Sequence, residues 1–147
     1  MTLKEQLNNA MKEAMKARDD LRLSAVRMVR SAIKNREIES RSELDDRAVI
    51  DVIATMAKQR RESIRMYREG NRNELAEKEE RELAVLLEFM PSQLTPEEID
   101  SLISQIIQDN AAQGAKDMGR IMKIVSPLIA GKADGKAVSE AVRRLLA

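Results

Sequence analysis

Apolar residues recur at intervals of three and four along nearly the whole chain. That spacing gathers them on one face of a helix turning about 100° per residue. Thr2-Leu3-Lys4-Glu5 is a capping box, and Leu3, Leu7, Ala10, Met11 and Ala14 are the stripe of the helix it opens, which fades near Arg18. Asp19 and Asp20 suit the start of a second helix over roughly residues 20–40, with Ala25, Val26, Val29, Ala32 and Ile33 inward. A polar linker from Glu39 to Asp46 leads to a helical hairpin. Its first arm turns Val49, Val52, Ile53, Met56, Ile64 and Tyr67 to one side, and Gly70 supplies the left-handed residue that ends it. Asn71-Arg72-Asn73-Glu74 restarts a helix with a second capping box. Leu75, Leu83, Leu86, Leu87 and Met90 line that return arm until Met90-Pro91 stops it.

Pro91-Ser92-Gln93-Leu94 marks a boundary between a helical bundle, residues 1–92, and a small domain, residues 93–147. Thr95-Pro96-Glu97-Glu98 combines a Thr cap, a first-turn proline and a Glu three residues after the cap, with Ile99, Leu102, Ile103, Ile106 and Asn110 continuing the helix and Gly114 closing it. Asp117 caps the next helix, which buries Met118, Ile121, Met122 and Val125 and is kinked or shortened by Pro127. Asp134 caps a last one carried by Val138, Ala141, Val142 and Leu145. The predicted fold is all-α: two helical subdomains, an N-terminal bundle with a long hairpin and a C-terminal three-helix domain. The small domain's core is marginal at this size, so it is expected to lean on the bundle or to hinge at the linker.

Two charges break the hairpin's pattern. Arg60 projects into the apolar face of the first arm and Glu79 into that of the second, at nearly equal distance from the turn at Gly70. A lone buried charge is costly, so a structural ion pair between Arg60 and Glu79 is expected; the alternative is that both snorkel to water.

Composition narrows the chemistry. No Cys or His is present, which removes thiolate and imidazole catalysis, disulfides and Cys/His zinc ligation. No Gly-rich phosphate loop occurs, and the carboxylates between Glu74 and Glu88 spread around a helix as a solvated acidic face. Neither a catalytic site nor a bound metal or cofactor is expected. No apolar leader or membrane-length apolar run is found, which suggests a cytoplasmic protein with no membrane partner.

Net charge is +1 but unevenly spread: residues 1–70 carry 16 basic and 12 acidic side chains, residues 71–100 carry 3 and 9, and residues 101–147 carry 7 and 4. Lys58, Arg61, Arg65 and Arg68 form one basic stripe, and Arg27, Arg30, Lys34 and Arg41 a second. Such rows fit a nucleic-acid backbone, which needs only cations on a rigid surface. They equally fit a solvated face tempered by Glu62 and Glu69. The turn Gly131-Lys132-Ala133-Asp134-Gly135-Lys136 sets two lysines at a helix N-terminus that suits anions, although Asp134 can satisfy the same amides. One Phe, one Tyr and no Trp argue against base stacking on single strands and favour a folded RNA as target.

Several of these segments together resemble the GatB/YqeY family. They are Met11-Lys12 through Met15-Lys16-Ala17-Arg18-Asp19, Arg27-Met28, Lys58-Gln59-Arg60-Arg61-Glu62-Ser63-Ile64, Lys78-Glu79 with Glu82-Leu83, Pro91-Ser92-Gln93-Leu94, Met118-Gly119-Arg120-Ile121-Met122 and Gly131-Lys132-Ala133-Asp134-Gly135. The resemblance spans essentially the whole chain in order. Phe89-Met90 departs from the family's more usual Tyr-Leu before the proline, and Ser126-Pro127 interrupts the penultimate helix.

The resemblance implies the fold of the tail of the B subunit of glutamine-dependent aspartyl/glutamyl-tRNA amidotransferase, which grips the body of tRNA. It thereby implies RNA contact through Lys116, Lys123, Lys132 and Lys136. The family is catalogued with carbon–nitrogen ligase activity using glutamine as amide donor, but no glutaminase or kinase machinery is encoded here. The expectation is a non-catalytic binder of tRNA or another structured RNA. The rival is a protein–protein adaptor docking on a synthetase or amidotransferase through its acidic arm and methionine-rich surfaces.

Overall fold

A computed structural model describes all residues, 1–147, and the fold is all-α. Seven helices follow in order: α1 (Leu3–Ala17), α2 (Asp20–Ser40), α3 (Asp46–Glu69), α4 (Asn73–Leu87), α5 (Pro96–Asp109), α6 (Met118–Ile129) and α7 (Gly135–Leu146), with a 3₁₀ turn at Ala115–Asp117 before α6. The chain divides into two compact units, Met1–Pro91 and Ser92–Ala147.

In the first unit the strongest start signals form as read. Thr2 Oγ1 accepts from the Glu5 amide at 3.2 Å while Glu5 Oε2 accepts from the Thr2 amide at 3.1 Å. Reciprocal caps of this kind stabilise a helix start by about 1 kcal/mol. Arg18, at φ 56°, ends α1, and Asp19 caps α2 by accepting from the Arg22 amide at 3.1 Å. The apolar faces then close on one core, in which Leu7, Val26, Val29, Val49, Ile53 and Leu86 are fully buried.

The turn between α3 and α4 differs from the sequence reading. Gly70 sits at φ −87°, and Asn71, at φ 57°, is the left-handed residue. The expected capping box at residues 71–74 does not form: Arg72 occupies the cap position without a side-chain bond. Asn73 instead accepts from Arg68 Nη1 at 3.1 Å. Asn enters the left-handed region more readily than most residues other than Gly, and this one takes that position one residue later. The buried face of α4 is also rotated. Ala76, Glu82, Val85 and Leu86 are inside, Leu83 and Leu87 are half-buried, and Leu75 is exposed.

That rotation accounts for the charges between the arms. Arg60 Nη1 meets Glu79 Oε2 at 2.7 Å and also contacts Glu82 Oε2, while Arg60 Nη2 reaches the Met28 sulfur at 3.2 Å. The Arg60, Glu79 and Glu82 side chains are 12, 20 and 10% exposed, so the cluster is largely removed from water. Glu82, assigned from sequence to a solvated acidic face, is the one buried charged residue of the chain. It lies three residues from Glu79 and therefore on the same side of the helix.

A second polar tie holds the loop before α3. The Glu37 carboxylate accepts from Lys4 Nζ and from the Leu44 amide, the latter at 2.8 Å, and these bonds hold its pKa below the usual carboxylate range. Asp46 accepts from the Leu3 amide at 3.0 Å, joining the start of α3 to that of α1.

In the second unit, Thr95 and Glu98 form the reciprocal cap of α5 at 3.1 and 3.2 Å, with Pro96 in the first turn. The helix ends at Asp109, well before Gly114, because the Asn110 side chain donates to the Ile106 carbonyl at 2.8 Å and Ala111 turns to φ 50°. Asp117 makes no side-chain cap on α6; its carboxylate turns back to the Gln113 amide at 2.8 Å. Pro127 lies inside α6, which stops two residues later at Ile129. Ile103, Ile121, Val125, Val138 and Val142 are the fully buried centre of this unit.

Truncating Arg60 leaves two carboxylates without their cation in a nearly dry site. Arg60→Ala is expected to destabilise the first unit by about 3 kcal/mol. Replacing all three charges together with Met and Leu should restore most of that loss. Urea unfolding midpoints of the single and triple variants check both statements.

Candidate nucleic-acid interface

The first-unit stripe on α3 is only partly available to a ligand. Arg68 Nη2 is paired with Glu80 Oε1 at 2.9 Å, and the same side chain holds Asn73. Arg61 is half-buried and engaged by a neighbouring group. Lys58 and Arg65 are exposed. Two of the four cations in the row are thus engaged within the protein's own fold; for Arg68 spacing could not reveal this, because Asn73 and Glu80 come from the helix that follows the turn.

On α2 the row stays outward. Arg27, Arg30 and Lys34 are exposed and line an open groove of about 800 Å³ between α1 and α2. Arg27 also edges a second groove, of about 670 Å³, toward α3. Arg41, at φ 54°, is the left-handed residue that ends α2 and is exposed. Lys4, Glu5 and Glu37 share the first groove with the row.

In the second unit Lys116, Lys123, Lys132 and Lys136 are all exposed, and no carboxylate is paired with any of them. Lys123 lies two residues from Ile121 and Val125, which are buried, so it points away from the core; Lys136 stands in the same relation to Val138. The turn carrying Lys132 is pinned at its backbone. Its carbonyl accepts from the Leu94 amide at 2.8 Å, its amide donates to Ile129 at 2.8 Å, and Gln93 Nε2 donates to the Gly131 carbonyl at 2.7 Å. Gly131 takes φ 74°, which a glycine adopts without strain. Asp134 accepts from the Lys136 amide at 3.4 Å, so the amides at the start of α7 are partly used by the chain itself. Sequence reading treated Gln93-Leu94 as linker and missed that these residues brace the lysine turn.

The unit's carboxylates, by contrast, are largely occupied. Glu98 closes a cap, Asp100 binds Arg144 at 2.7 Å, and Asp109 accepts from Gln105 at 2.8 Å. Asp117 holds Gln113 and Arg120. Its carboxyl is kept below the ordinary carboxylate range chiefly by the Gln113 amide, against an opposing effect of desolvation and with help from Arg120. The positive bias of residues 101–147 does not make the unit basic. Over Ser92–Ala147 seven basic side chains meet seven acidic ones, because α5 contributes Glu97, Glu98 and Asp100.

These features define a class: a two-unit helical protein that displays unpaired cations on braced turns and helix surfaces. The chain matches the family described as Yqey-like protein over residues 4–146 and belongs to that family, the one sharing its domain with the GatB tail. Among curated relatives it is similar to altered inheritance of mitochondria protein 41, mitochondrial, of Vanderwaltozyma polyspora, with 34% identity over 70% of this chain and 57% of that protein. The Kluyveromyces lactis protein of the same name is 37% identical over 70% and 57%, and the Eremothecium gossypii one 32% identical over 96% and 79%. The chain thus spans less than two thirds of the length of the first curated relatives it matches.

The relatives overturn the expectation of a cytoplasmic protein, since their names state a mitochondrial location. That expectation rested on the missing apolar leader. Mitochondrial targeting segments are amphipathic and Arg-rich, so lack of an apolar core is no argument against that compartment.

The Asp117 tie carries a pH dependence of definite sign. Its folded pKa is depressed, so the tie contributes fully above the unfolded carboxylate pKa and is lost as pH falls through the lower folded value. The protection factor of the Gln113 amide, its exchange rate taken relative to the intrinsic rate at each pH, should therefore fall on acidification, and Asp117→Asn should show the reduced protection already at neutral pH. Hydrogen-exchange NMR reads both.

Proposed function

We propose that the protein is a non-catalytic binder of tRNA or another folded RNA, held chiefly through Lys116, Lys123, Lys132 and Lys136 of the second unit, with Lys58 and Arg65 as auxiliary contacts. The observation that carries this reading is a contrast: most of the unit's carboxylates are used in caps and pairs, while its four lysine side chains face solvent with no ion pair or hydrogen bond. A phosphate backbone asks for cations free to exchange water and counterions for phosphate oxygens, and lysines of this kind supply them. Membership in the family of the GatB tail supports the choice of RNA. The bonds from the Leu94 amide and the Gln93 side chain support it further, because they hold the Lys132 turn in place before a ligand arrives.

The mechanism is electrostatic. Each lysine that meets a phosphate releases condensed counterions, and no covalent step is needed. With few aromatic side chains, recognition would follow the shape and charge of a duplex, not unstacked bases. Carbon–nitrogen ligase activity is not part of this reading.

Changing the four lysines to Gln should lower affinity for bulk tRNA by about tenfold or more near 100 mM salt and flatten the dependence of log Kd on log salt. Filter binding across a salt series measures both. Retention of wild-type affinity and slope by this variant would refute the assignment.

A further inference from the structure

The groove between α1 and α2 has a lining unlike that of a phosphate site. Its floor is apolar, with Leu7, Met11 and Ile33, and one wall carries Arg27, Arg30 and Lys34. Glu5 and Glu37 line the same groove. Both are engaged within the chain, Glu5 in the cap of α1 and Glu37 by Lys4, and an RNA backbone on the cationic wall would leave the apolar floor uncovered. Nothing aromatic lines it for a base to stack on.

We infer that this groove is a docking site for an acidic amphipathic helix of a partner protein. Charge complementarity is the first argument. Arg27, Arg30 and Lys34 stand at i, i+3 and i+7, spanning about 10 Å along one helix face. That matches the spacing of Glu side chains at i, i+3 or i+4, and i+7 on an opposing helix. Neither Arg27 nor Lys34 has a carboxylate partner within the chain, and the contact of Arg30 is to the sulfur of Met11, a weak acceptor. The row is therefore unsatisfied in a way that the α3 row is not.

The floor supplies the second argument. Met11 is only partly buried and its side chain is flexible, so it can repack around an apolar anchor without disturbing Leu7 beneath it. One turn beyond Lys34, Ile38 is 65% exposed and extends the apolar surface along the same helix. The volume, about 800 Å³, accommodates two or three side chains of a bound helix. The recognition mode is a helix laid in a groove, read by apolar anchors flanked by carboxylates.

This site lies in the first unit and does not depend on the RNA reading, so the two can fail separately. The test uses the full chain and a synthetic helical peptide of about 18 residues with Leu at i, i+4 and i+7 and Glu flanking them. Fluorescence anisotropy of the labelled peptide gives affinity, and methyl NMR of Met11 gives location. Binding with a shift of the Met11 methyl is expected, weakened about tenfold or more by Arg27→Glu with Lys34→Glu and equally by changing the peptide's Glu to Gln. The four-lysine variant of the second unit should bind the peptide as the wild type does. No peptide binding, equal binding of the Glu-to-Gln peptide, or an unmoved Met11 methyl would each overturn the inference. So would loss of tRNA binding in the Arg27/Lys34 variant with peptide binding intact, because the row would then serve the nucleic acid.

Discussion

The contact on which the first unit depends is one guanidinium shared by two carboxylates between antiparallel helices. Apolar side chains alone would hold α3 against α4, but they would tolerate a slip of one turn, since Leu, Val and Met exchange places at small cost. Arg60 does not tolerate it. Moving α4 by one turn would set one carboxylate in the other's place and carry the second away from the guanidinium, so that Arg60 would lose one of its two partners. The cluster therefore works as a register pin whose value lies in what alternatives would cost, as polar residues do at buried positions of coiled coils. It also reaches a third helix through Met28, so the register of the hairpin is tied to the placement of α2.

Much of this was legible from residues whose effects are local. Thr2 with Glu5, and Thr95 with Pro96 and Glu98, set helix starts that depend on nothing beyond four consecutive residues, and both form as read. The buried stripes of α1 and α2 follow directly from their period. The errors arose where the outcome turns on a neighbour. Glu82 looks like one member of an acidic run until Arg60 arrives from the opposite helix, and its burial moves the inward face of α4 toward Ala76 and Val85. Gly70 and Asn71 can both adopt the left-handed conformation. Sequence favours the glycine, whereas the register of the two arms assigns the turn to the asparagine.

The candidate sites show the same division. A row of cations at helical spacing is visible in sequence, but whether it faces water depends on which helix packs alongside. On α3 the row is half consumed, by Glu80 and Asn73 for Arg68 and by the neighbours of Arg61. The α2 row is left open, flanking a groove whose apolar floor only the packing of α1 creates. The bracing of the Lys132 turn by Gln93 and Leu94 joins segments some forty residues apart and had no local signature.

Arginine and lysine divide these tasks along the lines of their chemistry. The ion pairs that join helices use Arg22, Arg60, Arg68 and Arg144, and Lys4 is the one lysine among them. A planar guanidinium can engage a carboxylate with one nitrogen and a second acceptor with another, as Arg60 does with Met28 and Arg68 with Asn73. An ammonium is more strongly hydrated, gains less from a fixed partner, and remains a mobile point charge at the surface. The second unit follows this division in part: Arg120 and Arg144 are held by aspartates, while Arg143 and the four lysines stay exposed. In a unit whose acidic and basic side chains balance, the four lysines can thereby stay without an ion-pair partner, because caps and two arginines engage most of the carboxylates.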